Sequence, residues 1–444
     1  MSATLPNPAG ELEREARTRR ANALDALGMA CLILVVLWPF GFGVGILHGI
    51  GRVHGIAEWV LRAGLLWGFI GSALWHRDSA ESLGLSTPGR LWRLWQAQSG
   101  RPRIRLMLAV SGVFSGVFAL ALWNWPIAAR FLHLPPAYRV WPQTLGQWAA
   151  MLVFSVGVSA LIATCAVRYD NAGTAFRFAG KVILLLFTFA TLAAWLAQGP
   201  AAFDWFVSPR LPLDMIGYTF WGFIQQLIFT AYFATRLRKG FGKTREKEDG
   251  KTLDRDRLLR GSVRGGTVFA LVMGPLFWIG LRLVRGDDVS WEVLPAAMLF
   301  AFPIGAVWTY YFEHNRRQML VATLTGSFFG IIHADSYALV LLTTGLGTIF
   351  AYAAMEDRFR NLAALAVMHG VLGTTLGKMF QHAGTLRISF RVGPWNVPHP
   401  APWVMIIPMF YLAGYAALGF WIMRNPQANL QPARALDGLE LASE

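Results

Sequence analysis

Apolar runs about as long as the hydrocarbon core of a bilayer is thick recur along this chain, and few folds can accept them. Two examples are "MLVFSVGVSALIATCAV", from Met151, and "MIGYTFWGFIQQLIFTAYFATRLRK", from Met215. Run length gives ten to twelve candidate spans, among them 24–49, 56–75, 106–124, 147–167, 213–235, 318–334, 336–354, 361–380 and 402–423. The expected fold is an all-α, polytopic helical bundle embedded in a lipid bilayer. Helices suit such a setting because each backbone donor and acceptor is satisfied within its own segment, where lipid offers no partner. The runs 318–334 and 336–354 are nearly contiguous and read either as two spans or as one broken, re-entrant element.

Composition excludes a soluble domain of this size: 55% of the 444 residues are hydrophobic and 15% are charged. The 19 Trp and 31 Phe fit aromatic belts at two membrane surfaces. Both cysteines, Cys31 and Cys165, lie in apolar runs and form no framework or CxxC pair. The opening "MSATLPNPAGELEREARTRR" mixes acids with arginines and leads into an apolar run without a small-residue cleavage site, so the first span is expected to be retained.

Lys and Arg set the expected orientation. About three-quarters of the 40 fall in the two tails and in alternate connections, which places both termini on the cytoplasmic side of a plasma membrane of bacterial type. The densest stretch, 236–264, reads as a solvated charged loop. The net charge of +15 then comes from loops facing anionic lipid, and a nucleic-acid partner is not expected.

Polar side chains inside apolar runs carry the functional signal, because each is costly in lipid unless it faces the bundle interior. Gln225 and Gln226 lie mid-depth in one span, His333 ends another in "SFFGIIHADS", and His369 is mid-depth in "LAVMHGVLGTTLGKMF". Interhelical hydrogen-bonding glue is the plainer reading of the glutamines, and an interfacial helix end that of His333. Glu313, Glu356 and Asp357 read as charges beside the membrane.

Taken together, the motifs resemble the CPBP family of intramembrane proteases, which includes the CAAX prenyl proteases and bacteriocin-processing proteins. That family carries a glutamate pair with arginine four residues after the second glutamate, then FxxxH, then a second histidine followed four residues later by a polar side chain, commonly Asn. Phe329 and His333 match FxxxH, and His369 matches the second histidine. Gln225 and Gln226 take the glutamate positions, Thr230 the arginine position and Gly373 that of the last polar residue. The segment "ESLGLSTPGRLWR", from Glu81, is similar to the one that often precedes the family core. The resemblance divides the chain into an N-terminal tail (1–23), a first bundle (24–209), a CPBP-like core (210–380) containing the charged loop, and a final span with its tail (381–444).

What the resemblance implies is a site of Gln225, Gln226, His333 and His369 acting on a membrane-anchored peptide or protein. A neutral amide cannot serve as the base that a glutamate supplies. Asp335 is the candidate replacement. A divalent metal is compatible with two imidazoles but lacks a complete ligand set, so the cofactor stays unassigned. Replacing Glu-Glu-Arg by Gln-Gln-Thr removes an acidic pair and its cation together, leaving a polar but uncharged position. The readings are an intramembrane endopeptidase with an unconventional base, a pseudoprotease that binds membrane-anchored peptides, and, more distantly, a transporter. HExxH and GxSG are both absent.

Overall fold

The computed structural model describes residues 8–36, 62–97, 162–241, 255–285, 289–314, 316–333 and 337–381, with isolated positions elsewhere. Every regular element among these residues is helical. They include α1 (Pro8–Val36), α2 (Trp67–Gly71 continuing through Ser72–Trp75), α3 (Pro88–Gln96) and α4 (Ala172–Gln198), with short helical turns at Glu81–Leu83, Ile162–Ala166 and Gly199–Val207. The helix α5 joins three stretches, Leu211–Gln226, Leu227–Ala234 and Thr235–Phe241. There follow α6 (Arg255–Arg285), α7 (Val293–His314), α8 (Arg316–Ile331), α9 (Tyr337–Met355) and α10 (Leu362–Gln381). Among the described residues, four segments are long and apolar enough to cross a bilayer: Ala172–Val207, Asp256–Ile279, Val293–Glu313 and Leu362–Phe380. They mark the chain as a membrane protein with a helical bundle. On α6, Val268, Leu271, Val272, Leu276 and Ile279 are all exposed, an outer face suited to lipid.

The ambiguous pair of runs resolves into two helices packed along one another, α8 and α9. A Cβ on Gly326 would lie 2.4 Å from the Thr348 nitrogen, and one on Gly347 3.2 Å from the Gly326 Cα. Glycine at both positions is what permits backbones this close. At 16 residues, α8 is about 24 Å long, short of a full crossing. His333, half-buried, follows directly after α8.

Two polar assemblies hold the helices around this core, and neither was expected. In the first, Arg236 is fully buried, although it opens the stretch expected to be a solvated loop. Its guanidinium donates to Asn22 Oδ1 at 2.6 Å and to the Ser72 carbonyl at 3.2 Å, and pairs with Asp78; Lys239 pairs with the same Asp78. Asp25 lies 3.5 Å from Arg236 Nε and accepts from Trp67 Nε1 (2.8 Å), Ser72 Oγ (2.5 Å) and Tyr232 Oη (3.0 Å). These bonds tie α1, α2 and α5 together. The tail expected to end at residue 23 is thus helical from Pro8 and contributes Asn22 to the interior.

The second assembly clasps "ESLGLSTPGRLWR" to the start of α10. Arg168 donates to Asp170 at 2.7 Å and to Asp357 at 3.1 Å, and Asn361 Nδ2 donates to the Arg168 carbonyl at 2.8 Å. The Leu362 amide donates to the Gly84 carbonyl at 3.0 Å, and Gly84 adopts the left-handed conformation that glycine allows. Arg90 bridges Glu81 at 2.7 Å and Asp170 at 3.0 Å. The Arg90 guanidinium holds the Glu81 carboxyl below the usual range. Asp357 and Glu356 are accordingly not idle loop charges: Glu356 accepts from Gln318 Nε2 at 2.7 Å. Of the spans expected from run length, 402–423 and most of 106–124 and 147–167 lie outside the described residues, as do 242–254 of the charged stretch and nearly all of 381–444.

Candidate functional site

Helix α5 changes pitch in its middle. It is α-helical through Gln226, π-helical over Leu227–Ala234 and α-helical again from Thr235. A π turn widens the hydrogen-bond ladder, and such turns concentrate at functional positions. Gln225 and Gln226 are the last two residues before the change. The Thr230 hydroxyl donates to the Gln226 carbonyl at 2.7 Å, satisfying an oxygen at the transition. Thr230 therefore does not reach toward a partner as an arginine at its position could; it serves the backbone of its own helix.

Gln226 is fully buried and reaches His369 on α10, its Nε2 lying 3.0 Å from the ring Nδ1. With the amide as donor, Nδ1 accepts and the imidazole proton sits on Nε2. Close helix approach makes this contact possible. A Cβ on Gly222 would lie 3.0 Å from His369 Cβ, and one on Gly370 2.4 Å from Thr219 Cα. The His369 ring is walled by aromatic groups: Phe350 stacks on it at 5.5 Å, Phe329 meets it edge-on at 5.9 Å, and Tyr218 lies 5.8 Å away.

Phe329 gives the FxxxH spacing its physical content. One helical turn before His333, its ring packs edge-on to that imidazole at 4.8 Å while also touching His369 and Phe229. Both candidate histidines thus rest on one phenyl ring. His333 Nδ1 lies 2.7 Å from the Phe329 carbonyl, which can only accept, so Nδ1 carries the proton. Phe329 thus holds a histidine just past the end of α8 near one in the middle of α10.

Gln226, His369 and His333 form one site, with Gln225 beside Gln226 in the chain. The side-chain carbonyls of both glutamines are buried without a hydrogen-bond partner. An orphaned buried carbonyl costs about 1–3 kcal/mol. The site therefore offers an open acceptor in Gln226 Oε1 and a donor in His369 Nε2–H, and Gln225 Oε1 is a second unpaired acceptor one residue away in the chain. Among the described residues, no group of three or more His, Cys, Asp or Glu is placed to hold a metal ion. Asp335 lies outside the described residues.

Neither threonine near the second histidine supplies the missing polar group. Thr375 donates to the Val371 carbonyl at 2.7 Å, and Thr374 is directed to the Asp214 carbonyl at 3.5 Å. Gly373 is occupied with packing, since a Cβ there would fall 2.2 Å from the Tyr218 ring. Sequence reasoning missed Tyr218, Gly222 and Phe350. For the first two a signal existed: Tyr218, Gly222 and Gln226 recur every fourth residue and so share a helix face.

Comparison of the chain with family models, characterised proteins and solved structures gives no match. The chemistry of the site is accordingly argued from its own atoms. The hydrogen bonds described for it join neutral groups, and the donor and acceptors they leave open match those of an amide.

Proposed function

We propose that this multi-pass membrane protein, built on a CPBP-like plan with both termini cytoplasmic, binds a backbone segment of a membrane-anchored peptide or protein without hydrolysing it. The observation that carries this reading is the bond between Gln226 and His369, with the carbonyl oxygen of the same Gln226 side chain buried and unpaired and that of Gln225, one residue away in the chain, likewise. A peptide unit presents one N–H and one C=O. Its N–H would satisfy a glutamine carbonyl and its C=O would accept from His369 Nε2–H. Meeting one orphaned acceptor recovers about 1–3 kcal/mol, or roughly five- to 150-fold in affinity.

Hydrolysis needs a base to activate water, and the amides at the glutamate positions cannot take a proton. The order of the motifs favours a peptide as occupant over a transported solute, because the CPBP resemblance implies a cleft shaped for an extended chain. The test uses purified full-length protein in lipid nanodiscs with a panel of photo-crosslinkable single-span peptides. Wild type is expected to retain a peptide uncut, and Gln226→Leu and His369→Ala to lose it. Cleavage by wild type that His369→Ala abolishes would overturn the non-hydrolytic reading, and the search for a base would then begin at Asp335. Turnover gained by Gln225→Glu or Gln226→Glu would support it.

A further inference from the structure

We propose that α3 is a membrane-surface foot that binds anionic phospholipid headgroups. At nine residues it is about 13 Å long, too short to span. At 100° per residue, Leu91, Leu94, Trp95 and Trp92 fill one arc, while Arg90, Arg93 and Gln96 fill the other. Its start is fixed independently of any partner. Thr87 caps it by accepting from the Arg90 amide at 3.2 Å, and Pro88 begins its first turn.

Its place in the fold puts it at the membrane surface. Gly84, just before it, bonds to the first residue of α10, so the foot lies beside the end of a segment long enough to cross the bilayer. Arg90 is turned inward to Glu81 and Asp170, which anchors one edge to the protein. Trp92, 61% exposed, and Arg93, also exposed, point away from it.

An exposed tryptophan next to an exposed arginine on a short amphipathic helix is the pattern of interfacial attachment. Charge selects the lipid. From Pro88 to Arg105 the sequence carries no acid and four arginines besides the inward-turned Arg90. The phosphates of anionic phospholipids are the complementary partner, with each arginine near such a surface favouring it about fivefold. This inference rests on the membrane setting alone, so it stands or falls independently of the glutamine–histidine site.

The test places a spin label on full-length protein through Gln96→Cys, with Cys31 and Cys165 replaced by serine, leaving Trp92 and Arg93 intact. Accessibility to oxygen and to a water-soluble nickel chelate is measured in phosphatidylcholine nanodiscs as phosphatidylglycerol is titrated in. Oxygen access should rise and nickel access fall with phosphatidylglycerol. Arg93→Gln should raise the fraction needed for half the change by up to about fivefold. Thermal melting of each variant confirms that it is folded. A label equally open to nickel in every lipid mixture, or a phosphatidylglycerol response that Arg93→Gln leaves unchanged, would overturn the proposal.

Discussion

Replacing Arg236 by leucine should be among the most damaging single changes in the described part of this protein. The guanidinium is fully buried, as is the Asp78 side chain with which it pairs. Removing it leaves Asp78 with Lys239 alone, a partner about a third exposed, strips the Asn22 side-chain oxygen of its donor, and leaves the Ser72 carbonyl with the His76 amide only. Asp25 would keep its hydroxyl and indole donors but lose the cation 3.5 Å away. Breaking a buried pair by deleting one partner costs about 3–5 kcal/mol, because the remaining charge stays desolvated. Arg236→Lys keeps the charge but loses the fork that serves Asn22, Ser72 and Asp78 at once, and should fall between the two. The assay is equilibrium unfolding in mixed micelles, followed by tryptophan fluorescence. The decisive comparison is Asp78→Asn in wild type and in the Arg236→Leu background. If the network is as described, the second aspartate change costs much less once the arginine is gone, by on the order of 1–3 kcal/mol. A loss below about 1 kcal/mol for Arg236→Leu, or strict additivity of the two changes, would refute the reasoning.

Further expectations concern the site and the clasp. Gly370→Ala should destabilise by about 1–3 kcal/mol by forcing α10 away from Thr219, whereas Gly377→Ala, with open space around it, should leave the unfolding midpoint unchanged. Thr230→Val, which removes the hydroxyl from the Gln226 carbonyl, should cost about 1 kcal/mol in the same unfolding assay and weaken peptide retention by moving Gln226. Acid should loosen the clasp. Glu81 is held below its ordinary value first by its hydrogen bond to Arg90, so its contribution is present above the ordinary carboxylate range and is lost as pH falls through the lowered folded value. Hydrogen exchange at the Leu362 amide, bonded to Gly84, should accelerate over that range in wild type, and Arg90→Gln should show the faster rate already at neutral pH. For so exposed a pair the effect should stay under about 1 kcal/mol.

The helical class and the four spans seen among the described residues were legible because a bilayer leaves the backbone no alternative, so run length alone is informative. Gln226 and His369 were legible as a pair for a related reason: amides and imidazoles are rare in apolar runs, and in the structure they bond to one another. What sequence could not supply was depth. His333 looks misplaced until Phe329 is seen to touch both its ring and that of His369. Arg236 was hidden for the opposite reason. It begins a run of charges, and charge next to a span reads as solvated surface. The acids that neutralise it come from Asp25 and Asp78, more than 150 residues earlier in the chain, and no local pattern announces such a pairing. The clasp was half legible: its segment was noticed as an echo, but Arg168, Asp357 and Asn361 become partners only through long-range packing.

The π-helical stretch in α5 also sets a rotational phase between the two ends of that helix. Gln226 precedes it and must face His369, while Arg236 follows it and must face Asp25 and Asp78. Re-forming the stretch as regular α-helix with its length unchanged would turn one end against the other, because each π turn takes in more residues than the 3.6 of an α turn. Either the glutamines would leave the histidine or the arginine would leave its acids. The eight wide-pitch residues thus act as a phase shifter between the end of the helix that meets His369 and the end that meets Asp25 and Asp78.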